Sequence, residues 1–211
     1  MKIYSLPPLS ICGTNSYIVA SESKNAVLID APDKADFILK KLEERGLVLK
    51  KILLTHGHYD HMGAAQGLRE KTGCEVYIHA LDREKLTDEE ESRAIFHSLE
   101  INFVKCPNSI AVNDGDIIEQ DELRFKVMHT PGHTVGSVCY IISDVIFSGD
   151  TLFCESIGRT DFPGGSMEKM NASLRRLATL DGNYAVYPGH AMHSDFAHEK
   201  KYNAFMKAAC K

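Results

Sequence analysis

The stretch KILLTHGHYDH (51–61) runs from an apolar segment directly into three histidines and an aspartate. Its first part, KILLTH (51–56), reads as a buried strand, and His56, His58, Asp60 and His61 fall within the six residues 56–61. A turn at a strand end aims several side chains into one small volume. Three imidazoles suit a borderline ion such as zinc, and the carboxylate suits a second ion. A solvated polar loop would rarely gather four such donors.

Outward from this stretch, short apolar runs alternate with amphipathic segments. NAVLID (25–30) reads as a strand ending at Asp30, and EVYIHA (75–80) as another. Helices are expected over 35–46, closed by Gly46, and over 63–73, 167–182 and 195–209. The acidic stretch 81–96 is helix-prone and reads as a solvated face. In the second half, 122–130, 137–143 and 144–150 are strands separated by tight turns, as in antiparallel pairing, and 184–190 is a further strand. No Pro/Gly/Ser-rich linker divides the chain, so one domain over 1–211 is expected. Strands in both halves with helices between them predict a four-layer α/β arrangement, two packed sheets with helices outside.

Three later residues occupy the same kind of position as the first cluster. His133 follows a strand through Pro131 and Gly132, Asp150 follows one through Gly149, and His190 follows one through Pro188 and Gly189. The separations are long: 72 residues from His61 to His133, then 17 to Asp150 and 40 to His190. Spacing alone cannot bring them together. The shared pattern does suggest it, a buried strand ending in Gly-His, Gly-Asp or His-x-His. Five histidines and two aspartates are enough donors for two ions with a shared carboxylate.

These segments, with NAVLIDAP around Asp30 and GDTLF around Asp150, resemble the metallo-β-lactamase superfamily and, within it, its glyoxalase II-like members. The resemblance implies an αββα sandwich of two mixed sheets whose loops at one edge hold two divalent ions, zinc first, with iron or manganese as alternatives. Carried over position by position, His56, His58 and His133 would hold one ion and Asp60, His61 and His190 the other, with Asp150 bridging. The implied chemistry is hydrolysis by a metal-bound hydroxide that Asp60 orients. A thioester suits such a site, because a thiolate leaves without much acid assistance.

Departures narrow the branch. Asp150 stands where metallo-β-lactamases carry Cys, which argues against antibiotic hydrolysis. His58 stands where diiron flavoprotein relatives have Glu. After GDTLF, the stretch CESIGRTDFPGGS (154–166) has Arg159 where glyoxalase II enzymes keep a Lys that holds glutathione, but Asp161 and Phe162 in place of a Tyr. The chain also ends soon after His190, with one helix expected rather than the helical domain that completes the glutathione site. The reaction class therefore carries over better than the substrate, a small thioester. Arg159 is expected either to bind a substrate carboxylate or to pair with Asp161 and fix the loop. GRTDF also resembles persulfide dioxygenases, which use one iron held by two histidines and an aspartate. A catalytically silent metal-binding domain is the third reading.

Composition sets outer limits. The 211 residues carry 24 Lys and Arg against 29 Asp and Glu, a net charge of -5 that argues against a nucleic-acid partner. No apolar run is long enough to span a membrane, and the N-terminus is a poor signal peptide. The six cysteines are scattered with no C-x-x-C pair, as in a protein of a reducing, cytoplasmic compartment. Of the remaining histidines, His79 reads as a core or surface residue. His97 and His129 lie in no motif, and His193 and His198 read as exposed.

Overall fold

The apolar segments form strands buried on both faces, and this fixes the layers. In the computed structural model, which describes residues 1–10, 12–92 and 103–211, twelve strands among the described residues build two six-stranded mixed sheets. The first sheet runs in the order β1 (Lys2–Ser5), β2 (Tyr17–Ala20), β3 (Asn25–Ile29), β4 (Val48–Leu53), β5 (Glu75–His79) and β6 (Ile110–Val112). The second contains β7 (Ile117–Gln120), β8 (Leu123–His129), β9 (Val138–Ile142), β10 (Val145–Gly149), β11 (Ala185–Pro188) and β12 (Ser194–Asp195), ordered from β12 back to β7. Val27, Ile29 and Leu53 point from the first sheet into the layer between the sheets, where they meet Phe125, Tyr140 and Phe147. Their neighbours Leu28 and Ile52 face the other way. There they pack beneath α1 (Ala35–Glu43) and α3 (Ala65–Thr72), with the one-turn α2 (Tyr59–Met62) between. On the far side, Ile146 and Val186 pack beneath α4 (Met167–Ala178), α5 (Phe196–Tyr202) and α6 (Ala204–Ala209). Three apolar layers thus separate helix, sheet, sheet and helix, the expected αββα sandwich.

Parallel pairing decides where the site lies. Strands β3 and β4 are parallel, as are β10 and β11, so each pair delivers its C-terminal loops to one edge. The strand expected over 51–56 begins earlier and leaves the ladder after Leu53. Beyond it, the Thr55 carbonyl accepts the Val138 amide (2.9 Å) and the Leu54 carbonyl accepts the Tyr140 hydroxyl (2.9 Å). These bonds tie the two sheets together at the site edge. From the β1–β2 loop the Asn15 amide reaches the Gly189 carbonyl (2.8 Å), and from β2 the Tyr17 hydroxyl reaches the Pro188 carbonyl (2.7 Å).

Two expected helices differ. In the stretch 81–96 the acidic run 88–91 is exposed, as expected, but a 3₁₀ helix covers Ala80–Leu86 in place of an α-helix, and 93–96, with His97, lies outside the described residues. The cause is Asp82, which is fully buried and accepts hydrogen bonds from Gly57 N (3.0 Å), Gly136 N (2.9 Å) and Thr134 Oγ1 (2.7 Å). The single helix expected over 195–209 is two helices, broken at Asn203. That residue turns to an extended conformation (φ -68, ψ 114). Its side chain caps α6 by accepting the Phe205 and Met206 amides. The same side chain donates to the Ser156 carbonyl (3.0 Å) and Glu199 Oε2 (2.8 Å). No helix among the described residues is long and apolar enough to cross a membrane.

Asn203 is buried and serves as cap and as tether of the 153–156 turn. Asn203→Ala should lower the unfolding free energy by about 2–4 kcal/mol, the loss of a cap plus buried acceptors left unpaired. Chemical denaturation measures it, and a change below about 0.5 kcal/mol would show that the break does not depend on this side chain.

Candidate metal centre

The donors of the sequence pattern lie in the loops that follow strand ends at the shared edge and in the short α2, and the fold brings all seven together. Ligand atoms of His56, His58 and His133 lie within 4.8 Å of one another, as do those of Asp60, His61 and His190. A third such group joins Asp150 to His56 and His61. Asp150 stands between the first two groups: its Oδ2 is 3.4 Å from His133 Nε2 and 3.5 Å from His190 Nε2, while Oδ1 is 3.3 Å from His61 Nε2. The close approach of His133 Nε2 to His58 Nδ1 (2.9 Å) and of His61 Nε2 to His190 Nε2 (3.3 Å) points ring nitrogens at common centres.

Hydrogen bonds behind the rings decide which nitrogen is free. Asp30, buried at the end of β3, accepts Thr55 N (2.8 Å), Thr55 Oγ1 (2.9 Å) and His61 Nδ1 (2.8 Å). Because the Thr55 hydroxyl donates to Asp30, its oxygen accepts from His56 Nδ1 (3.2 Å). His133 Nδ1 donates to the Arg159 carbonyl (2.7 Å). In all three rings Nδ1 is the N–H, so Nε2 faces the centre and is free to ligate. Asp60 Oδ2 is held by the Thr14 hydroxyl (2.9 Å) and lies 3.4 Å from His190 Nε2.

The glycines before the donors are steric necessities. Gly149 has φ +48, and a Cβ there would lie 2.5 Å from Thr55. At Gly189 a Cβ would fall onto Asp150 Oδ1 and lie 2.7 Å from His61 Cε1.

Burial first, and then the charges of the surrounding rings, pushes the His56 pKa well below its ordinary value. His61 is opposite: burial opposes its charge, but Asp30, Asp150 and Asp60 outweigh that and hold it well above. Asp60 stays far below the usual carboxylate range because His61 and His190 overcome its desolvation. Asp150 is lowered to about 2 against its desolvation, by the charges of His61 and His133. Despite this, His56 Nε2 and Asp150 Oδ1 are buried without a hydrogen-bond partner. Orphaned acceptors among imidazoles and carboxylates are what divalent ions would satisfy, so the donor set fits them.

Cys12, Phe153, Gly158, Arg159 and Phe162 complete a cavity of about 270 Å³ over these donors. The Arg159 guanidinium is exposed and already engaged, with Nε and a terminal nitrogen each 2.7 Å from the two oxygens of Asp161. It also lies 3.9 Å over the Phe162 ring, which meets His58 edge-on. Of the alternatives for Arg159, the geometry displays the loop-fixing pair. His79 is buried and stacks on His129, with centroids 4.1 Å apart. His193 is exposed but leans on Tyr187 (4.4 Å), and His198 is half-buried against Glu155 (2.9 Å).

Sequence reasoning missed Asp82 and Thr14. Asp82 binds the Gly57 loop to the Thr134–Gly136 loop, so it sets His56 and His58 against His133. In LDREKL nothing distinguishes it from the exposed acids nearby. Asp30 was visible as a strand-end residue, but not as the partner of His61. Asp30→Asn should weaken metal binding roughly 10–100-fold, the usual cost of removing a ligand's outer partner. Competition with a chromophoric chelator measures it, and unchanged affinity would remove Asp30 from the centre.

Residues 9–190 match the Metallo-beta-lactamase superfamily. Hydroxyacylglutathione hydrolase GloC of Haemophilus influenzae is 33% identical over 213 residues, covering 95% of this chain and 96% of that protein. The crystal structure of BLEG-1 B3 metallo-beta-lactamase superposes with a TM-score of 0.89 at 32% identity, covering 97% of this chain and 99% of that one. ETHE1 from Myxococcus xanthus superposes with a TM-score of 0.80 at 33% identity, covering 97% of this chain and 84% of that one. With the αββα sandwich and the donors gathered at its edge, these matches establish that the chain belongs to the metallo-β-lactamase superfamily.

Proposed function

We propose that this protein is a binuclear, zinc-dependent hydrolase of small thioesters, closest in activity to a hydroxyacylglutathione hydrolase. The observation that carries the reading is the pairing of two complete donor groups around one carboxylate, Asp150, with His56 Nε2 and Asp150 Oδ1 buried without a hydrogen bond. Similarity to GloC along nearly the whole chain supports the substrate class. His56, His58 and His133 would hold one ion, Asp60, His61 and His190 the other, and Asp150 would lie between. When bound, two such ions ionise water near neutral pH and polarise a carbonyl.

The chain's own groups do the rest. Asp60, fixed by Thr14, would orient the nucleophile and accept its proton. Asp30 keeps the proton of His61 on Nδ1, so that ring acts only as a donor of its lone pair. The thiolate departs unaided. A cavity of about 270 Å³ walled by Phe153 and Phe162 suits a small acyl group with its thiol carrier extending past Arg159. The six cysteines are all thiols, in keeping with a cytoplasmic setting.

A second reading rests on the GRTDF loop and on the likeness to ETHE1: an iron-dependent persulfide dioxygenase. Metal analysis with a thioester panel that includes S-lactoylglutathione separates the two. We expect two zinc ions per chain and thioester turnover. One iron, with oxygen consumed on glutathione persulfide and no thioesterase activity, would overturn the hydrolase.

Asp60→Asn should reduce kcat by roughly 100-fold or more, because it preserves shape and removes the base. Normal turnover in this variant would leave Asp60 idle. A substrate carboxylate must displace Asp161 to reach Arg159. Arg159→Ala should therefore raise KM for a carboxylate-bearing carrier and leave a neutral thioester almost untouched. Equal losses on both substrates would assign Arg159 to holding the loop.

A further inference from the structure

Beyond the main centre, the chain doubles back at Phe153–Ser156, whose backbone groups pair with each other (3.0 Å), and presents Cys154 and Glu155 at the tip. Glu155 adopts a left-handed conformation (φ +57), rare for a residue with a side chain. It is held there by its amide, which donates to Glu199 Oε2 (2.9 Å). Asp195 caps helix α5 by accepting the His198 amide on Oδ1 (3.0 Å). That places His198 Nε2 2.9 Å from Glu155 Oε1. Cys154 Sγ, a Glu155 oxygen and a His198 nitrogen all lie within 4.8 Å of one another.

Beneath this group lies Glu199, fully buried. Its carboxylate accepts from Glu155 N, Ser194 Oγ and Asn203 Nδ2, all neutral donors. A buried carboxylate stabilised only by neutral groups leaves a negative field at the surface above it. Burial first, and then that charge, pushes the Cys154 thiol up, and the same field draws a cation. A bound cation would displace the Cys154 proton to solvent, and the resulting thiolate, with imidazole and carboxylate, forms a donor set of the zinc class with one position left for water. Donors around such an ion stand about 3.3–3.8 Å apart, within reach of small side-chain rotations here.

We propose that Cys154, Glu155 and His198 form a separate surface site for a thiophilic divalent cation. The cation would tie the 153–156 turn to α5. Phe153, at the base of that turn, lines the main cavity and meets His190 edge-on at 5.8 Å, so the site steadies one wall of the substrate pocket. It shares no donor with the main centre, and its failure would leave the proposed hydrolase untouched.

Sulfur makes the test selective, because the seven donors of the main centre contain none. Metal-stripped full-length protein is titrated with Co(II), and the near-ultraviolet thiolate-to-cobalt charge-transfer band is followed. We expect the band to grow with one equivalent beyond those that fill the main centre. Cys154→Ser should abolish it and His198→Gln should weaken it. Cys12→Ser, which alters the thiol lining the main cavity, should leave it intact. No band with the main centre saturated would overturn the proposal. So would a band that survives Cys154→Ser, or one that vanishes in Cys12→Ser.

Discussion

The buried carboxylate of Asp30 is the constraint on which the centre depends. Placed at a strand end with φ +56, it has no solvent to share and three donors to satisfy it. Hydrogen bonds to a buried charge are worth roughly 1.5–3 kcal/mol each, enough to hold Thr55 and His61 in single orientations. From there the order propagates, since Thr55 fixes the ring of His56 and its carbonyl crosses to the second sheet at Val138. Asp82 repeats the device on the other side, where it gathers the His58 and His133 loops. Two carboxylates outside the seven-residue cluster thus position the side chains within it.

This arrangement also explains why the centre sits between the sheets. A strand pair running parallel can deliver two loops to one edge, and each sheet contains such a pair at its site-forming strands. The sheets meet through a layer of large apolar side chains, which sets their spacing, and through hydrogen bonds at Thr55, Pro188 and Gly189. Orienting rings before a ligand arrives costs folding free energy, because like groups crowd together. An ion bound only by the folded state returns that stability through mass action.

Much of this was legible in the residues. Strands such as NAVLID and DVIFSGD are bounded by turn residues and saturated with apolar side chains, so their existence and their ends were readable. The convergence of the seven candidate donors was readable because they cluster just after buried strands, behind tight turns. What could not be read was anything decided by a distant partner. Short strands such as Lys2–Ser5 and Ile117–Gln120 exist because a neighbour pairs with them. The break at Asn203 answers to the 153–156 turn, and the burial of Asp82 answers to the Gly57 and Gly136 amides. Arg159 was equally ambiguous, since its pairing with Asp161 depends on the local loop shape.

The central claim is that one carboxylate joins two donor groups into a single binuclear centre. Anomalous diffraction from crystals of metal-loaded protein tests it most directly. The account predicts two peaks about 3.5–4 Å apart, with Asp150 between them and Asp60, His61 and His190 around the second. A single peak, with no ion within bonding reach of Asp60, His61 and His190, would contradict it.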